Sequence, residues 1–212
     1  MADYAELKER ALALGAVEAA VVPVSALAIE HRVTLKCRFG CPHYGSSRSC
    51  PPYVPTVDEF QRAVAEYTHV LIAAFPSGAT LGDRGGRGIL RARADKAAAT
   101  EDKEAVEKFY RQWDKSKASA FEAILQLEKE AFERGEPLAL ALRPSRCTLC
   151  EKCELDGPCR HATRLRFPPE AVGINLSASC RRAGMTLVFP FEKNPSHIGM
   201  VLLGSQGDRR DL

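Results

Sequence analysis

The sequence predicts an α+β domain: a mixed or antiparallel sheet flanked by helices, with two cysteine-rich metal-binding loops and one long amphipathic helix. Three observations carry this. Strand-like apolar segments and helix-like segments are mixed without a strict β-α-β alternation, which favours α+β over a parallel sheet. The stretch Glu101 to Arg134 keeps a helical period through Val106, Phe109, Trp113, Phe121, Ile124 and Phe132, with charges on the opposite face. Seven of the eight cysteines fall in two short segments, Cys37–Cys50 and Cys147–Cys159.

The elements follow in order. Asp3 to Leu14 reads as a helix stopped by Gly15. Val17 to Val24 is apolar and β-branched, a strand, and Val33 to Lys36 reads as a second, short strand leading into Cys37. Arg38 to Pro55, with four prolines and two glycines, is an ordered loop. Thr56 opens a helix, with Asp58 and Glu59 in its first turn. Val70 to Phe75 is a buried strand ended by Pro76 and Gly78. Gly82 to Gly88 fits no phosphate-binding pattern and reads as a surface loop. The long helix follows, with Ser116–Ser119 as the place for a break, and its aromatic stripe is assigned to the core. Leu138 to Leu142 is a strand entering the second cysteine segment. A helix near Leu176–Ala183 and strands at Thr186–Phe191 and Ile198–Leu203 complete the chain.

At 212 residues the chain is sized for one domain, residues 1–212, with 1–80 and 81–212 as its sub-units. Hydrophobic residues make up 45% and charged residues 27%, which excludes a wholly disordered or fibrous chain. The net charge of +3 is too small for a large nucleic-acid footprint. The first fifteen residues lack the basic start and apolar run of a secretory leader, which predicts the cytoplasm. Thiols are kept reduced there, so clustered cysteines point to metal or redox work rather than disulfides.

The second segment reads Cys147-Thr-Leu-Cys150-Glu-Lys-Cys153, then Cys159 after five residues. Two-residue spacers let successive cysteines reach separate corners of a cuboidal 4Fe–4S cluster, as in bacterial ferredoxins, with a fourth thiol nearby. Structural zinc prefers two ligand pairs separated by a longer stretch, and remains the competing cofactor. The first segment, Cys37-Arg-Phe-Gly-Cys41, eight residues, then Cys50-Pro-Pro, supplies three thiols. Three readings stay open for it: a second 4Fe–4S cluster, zinc with His43, or cysteines without metal. The fourth ligand is open among His43, Cys180, a distant residue and a non-protein ligand. An unfilled iron position would bind substrate as a Lewis acid.

These residues carry a family resemblance. The segments CRFGCPHYGSSRSCPPYVPTVDEF, LEKEAFERG and CTLCEKCELDGPCRHATRLRFPPEAVGIN resemble the cysteine-rich predicted metal-binding protein family of bacteria and archaea, a domain of unknown function. The resemblance runs from Leu35 to Leu203 and implies iron–sulfur or other metal binding. It falls on Cys37, Cys41, Tyr44, Gly45, Cys50, Pro51 and Pro52, and on Cys147, Cys150, Cys153, Cys159 and Arg160. Arg48, Pro168–Pro169 and Asn175 depart from the family pattern, and Cys180 has no counterpart in it.

Among the histidines, His69 and His31 read as structural and surface residues, and His43 and His161 as donors to cluster sulfur or exposed loop residues. No Ser–His–Asp order, HExxH or carboxylate pair stands out. Arg84, Arg87, Arg91, Arg93 and Lys96 read as a solvated helix face, or as a dock for an acidic redox partner or RNA. Three functions follow: an iron–sulfur protein in electron transfer or redox chemistry; an enzyme binding substrate or an exogenous ligand at an open iron in the first site; or a zinc-stapled binding module without catalysis. No membrane role is expected.

Overall fold

The computed structural model describes residues 4–81, 85–95, 97–186 and 195–205. The chain runs α1 (Ala5–Ala13), β1 (Glu18–Pro23), α2 (His31–Gly40), α3 (Val57–Val64), β2 (Tyr67–Pro76), α4 (Gly85–Ala94), α5 (Thr100–Glu133), β3 (Leu140–Leu142), α6 (Leu176–Arg182) and β4 (Ser196–Ser205). The strands form one antiparallel sheet in the order β1-β2-β4-β3.

β2 is the organiser. Its residues Val70 to Phe75 are all buried, because both sheet faces are covered. Successive side chains point to opposite faces. Leu71, Ala73 and Phe75 pack with Val201 and Leu203 of β4 against Leu7 and Ala11 of α1 and Ile124 and Leu127 of α5. Val70, Ile72 and Ala74 pack with Met200 and Leu202 against Phe60 and Val64 of α3 and the segment Val172–Ile174. The result is a three-layer domain of the α+β class.

Several boundaries have local causes. Thr56 caps α3: its side chain accepts from the Glu59 backbone N–H, while Glu59 accepts from the Thr56 backbone N–H at 2.8 Å. Asn175 caps α6, accepting from the Ala178 N–H at 3.1 Å, and its amide donates to Glu30 at 3.2 Å. Asn175 thus links the start of α6 to Glu30, the residue before α2. Gly173 has φ +92°, and a Cβ there would meet Val57 at 3.0 Å and the Glu30 carbonyl at 3.3 Å.

Four expectations need correction or placement. Val33–Lys36 is helical, inside α2, because His31–Gly40 packs as one helix against the turn at Pro169–Val172; two β-branched residues do not outweigh that packing. Of Gly82–Gly88, residues 82–84 lie outside the described set, and Gly85–Gly88 begin α4 rather than a loop. α5 runs unbroken through Ser116, whose hydroxyl bonds back to the Gln112 and Trp113 carbonyls and so leaves the helix intact. The strand expected at Thr186–Phe191 falls, beyond Thr186, outside the described residues. No helix among those described is long and apolar enough to cross a membrane.

Candidate metal centre

All eight cysteines are free thiols. The C-terminal end of α2 and the loop after it carry Cys37, Cys41 and Cys50, and all three line one cavity of about 650 Å³. The thiols are close enough to act on one another. Burial pushes the Cys37 thiol up to about 11, helped by Cys41, Glu170 and Cys50. Burial likewise raises Cys50, with Cys41 and Cys147 adding to it and the Ser49 hydroxyl opposing it. Among the described residues, no three His, Cys, Asp or Glu side chains are already gathered around a single-ion site.

The two cysteine loops are docked on each other. Arg48 donates to the carbonyls of Glu154 at 2.9 Å and Leu155 at 2.8 Å, and also to that of Gly157. Buried Ser49 receives the Cys147 backbone N–H at 3.2 Å and stands 3.8 Å from Cys50 Sγ. Cys147 is therefore placed beside the first group as well as leading the second. In the second loop the backbone N–H of His161, rather than its imidazole, donates to Cys159 Sγ at 3.4 Å. Arg160 pairs with Glu154 at 3.4 Å across the same loop.

Arg143 tests whether these residues suit a metal–thiolate group. It follows β3 and is 1% exposed, with its guanidinium 4.1 Å above the Phe121 ring. Burial lowers its proton affinity, and the Cys147 and Cys50 thiols act in the opposite direction. Its Nε and Nη1 have no hydrogen-bond partner. A buried cation with two orphaned donors is costly unless acceptors arrive. Metal-bound thiolates supply both negative charge and sulfur acceptors at this place, so the residues fit a thiolate-held centre.

The cavity's other walls come from distant segments. α5 contributes Phe109, Trp113 and Lys117; α4 contributes Arg93; the segments near 145 and 170 contribute Arg146 and Glu170. His43 lies there too, its proton affinity lowered by burial and by Arg146, Arg93 and Lys117. Burial raises the Glu170 carboxyl. Glu170 keeps some exposed surface and lines the cavity. Lys117 is 4% exposed and pairs with Asp114 at 2.5 Å. His197, 1% exposed, backs Trp113 with ring centroids 4.2 Å apart and meets the Ser116 hydroxyl at 2.9 Å.

Cys180 is fully buried in the core beside Phe60, Val64 and Val172, and does not line the cavity. Of the two named candidates for a fourth ligand, His43 lines the cavity and Cys180 does not. The aromatic stripe of α5 divides: Phe121 and Ile124 are buried in the core, Phe109, Tyr110 and Trp113 line the cavity, and Phe132, expected in the core, is exposed because it lies near the end of the helix, beyond the sheet the helix packs on. Of the basic stretch, Arg87, Arg91 and Arg93 are exposed, Arg93 at the cavity's edge, and Arg84 and Lys96 lie outside the described residues. Sequence reasoning did not single out Lys117, Arg143, Arg146, Glu170 or His197. Lys117 carried one signal: it stands four residues after Trp113, on the apolar stripe, where a cation is out of place.

Fold and site together define a cysteine-rich α+β metal-binding domain. The family model described as Predicted metal-binding protein (DUF2284) matches residues 20–203, and the chain belongs to that family. No curated protein and no solved structure matches it.

Proposed function

We propose that the chain is an iron–sulfur protein in which the first cysteine group binds a ligand and the second moves electrons. Cys147, Cys150, Cys153 and Cys159 would hold a 4Fe–4S cluster with a complete set of thiolates, suited to electron transfer. Cys37, Cys41 and Cys50 would hold a second centre with one position left for an exogenous ligand. The observation that carries this reading is the cavity: the three thiols that lack a local fourth partner are the ones that line it. The contact of Ser49 with both Cys50 and the Cys147 backbone supports the two groups working together.

The test is anaerobic purification with assays of iron, acid-labile sulfide and zinc. Two clusters give about eight irons with matching sulfide. Cys150→Ser should remove about half of the iron, and Cys37→Ser the other half. Stoichiometric zinc without sulfide overturns the proposal in favour of a zinc-stapled module.

A further inference from the structure

We propose that the cavity beside Cys37, Cys41 and Cys50 binds a small aromatic anion, its ring against the Phe109–Trp113 face of α5 and its carboxylate or phosphate held by Lys117 and Arg146. This deepens the reading above and rests on it for what the ligand's place beside the thiols means, though not for the binding itself.

The wall is built by helical spacing. Phe109, Trp113 and Lys117 lie four residues apart on α5, so two rings and one ammonium share a face. The Phe109 and Trp113 rings are stacked at 5.9 Å with 22° between their planes. Trp113 is braced from behind by His197, whose imidazole is in turn held by Ser116. A braced aromatic surface is already ordered, so a planar ring meets it with little entropy lost on the protein side.

The polar end has an excess of cations. Lys117 is almost wholly buried, yet among the described residues its three-donor ammonium has one ion-pair partner, Asp114, which lines the same cavity with its side chain 53% exposed. Arg146 makes no ion pair among the described residues. Arg93 is fixed over Tyr110, 2.6 Å from its hydroxyl and 4.3 Å from its ring centre, on the same cavity. Against three cations on the cavity wall stand two carboxylates, Asp114, committed to Lys117, and Glu170. Cations with spare donors in a partly dry site attract an anion. A volume of about 650 Å³ is in the range of small-molecule sites, with apolar walls and few convergent polar groups.

The chain has one tryptophan, so Trp113 fluorescence reports on the site directly. Anaerobically purified protein is titrated with benzoate and phenyl phosphate, with benzyl alcohol and cyclohexanecarboxylate as probes lacking the charge or the flat ring. Saturation-transfer NMR provides a second readout. Saturable binding of at least one aromatic anion at about 1 mM or tighter is expected, with both control probes at least about tenfold weaker. The tighter of the two anions identifies the acidic group. Lys117→Met should weaken the anion about tenfold or more and leave benzyl alcohol unchanged. Arg146→Met should give the same selective loss in a variant whose core is untouched. No saturable binding of either anion, or equal binding of benzoate and benzyl alcohol, overturns the proposal. Iron and sulfide assays on the same sample judge the metal reading separately: benzoate binding by protein that carries zinc and no sulfide sinks that reading and keeps this one.

Discussion

His197 shows how far a single side chain departs from its ordinary behaviour here. Burial is the main cause that lowers its proton affinity to about 4, with Lys117 adding to it and a hydrogen bond to the Trp113 backbone opposing it. The folded state resists a proton that the unfolded chain accepts. The neutral imidazole's contribution is therefore complete above pH about 6.5 and is lost as pH falls through about 4. The shift corresponds to about 3 kcal/mol across that window. His197→Gln should flatten the acid limb of a stability-against-pH curve relative to wild type, measured by urea unfolding. An unchanged acid limb contradicts it. Arg143 gives a prediction of opposite sign in two states. In metal-free protein, Arg143→Met removes an orphaned buried cation and should leave melting unchanged or higher. In metal-loaded protein it removes the donor beside the thiols, and should destabilise the loaded form by about 1–3 kcal/mol. Thermal melts of both forms decide it. Neither residue could be recognised in the sequence, since each has its role from burial by elements far along the chain.

At the scale of elements, α5 against β4 and the two cysteine loops against each other carry the architecture. Gly199 lies where β4 faces α5; a Cβ there would stand 2.4 Å from Cγ1 of the fully buried Ile124. Ile124 is enclosed by core on all sides, so Gly199→Ala should cost about 1–3 kcal/mol by chemical denaturation. A variant as stable as wild type would mean the helix can shift. Arg48 joins the loops through three carbonyls. Arg48→Leu should raise hydrogen exchange in 154–157 and release metal from the second group before the first. Unchanged protection there would assign the docking to Ser49 instead. The helix boundaries at Thr56 and Asn175 were legible, because capping is written in adjacent residues. The α2 assignment was not: ten residues containing Val33 and Thr34 become helical through contact with the turn at Pro169–Val172.

For the whole molecule, the sheet and the metal region have different sources of stability. The sheet is held by apolar packing on both faces, whereas the loops at 37–53 and 146–164 have little core of their own. Chelation should expose these two loops to limited proteolysis while leaving the sheet and the C-terminal half of α5 intact. Cuts read by mass spectrometry outside the loops would show that metal sustains the entire fold.

The sequence by itself determined the α+β class, the long helix, the buried central strand and both cysteine groups. Each is encoded in local spacing, the period of apolar residues or the two-residue gaps between thiols, and local spacing survives without knowledge of the fold. Tertiary structure alone decided the rest. It set Ser49 between Cys50 and Cys147, turned Arg48 into a clamp, sent Cys180 into the core, and made a cavity wall of Phe109, Trp113 and Lys117. These arrangements join residues as much as about a hundred positions apart. Their energies come from mutual burial and from charges brought together, and neither exists until the chain has closed on itself.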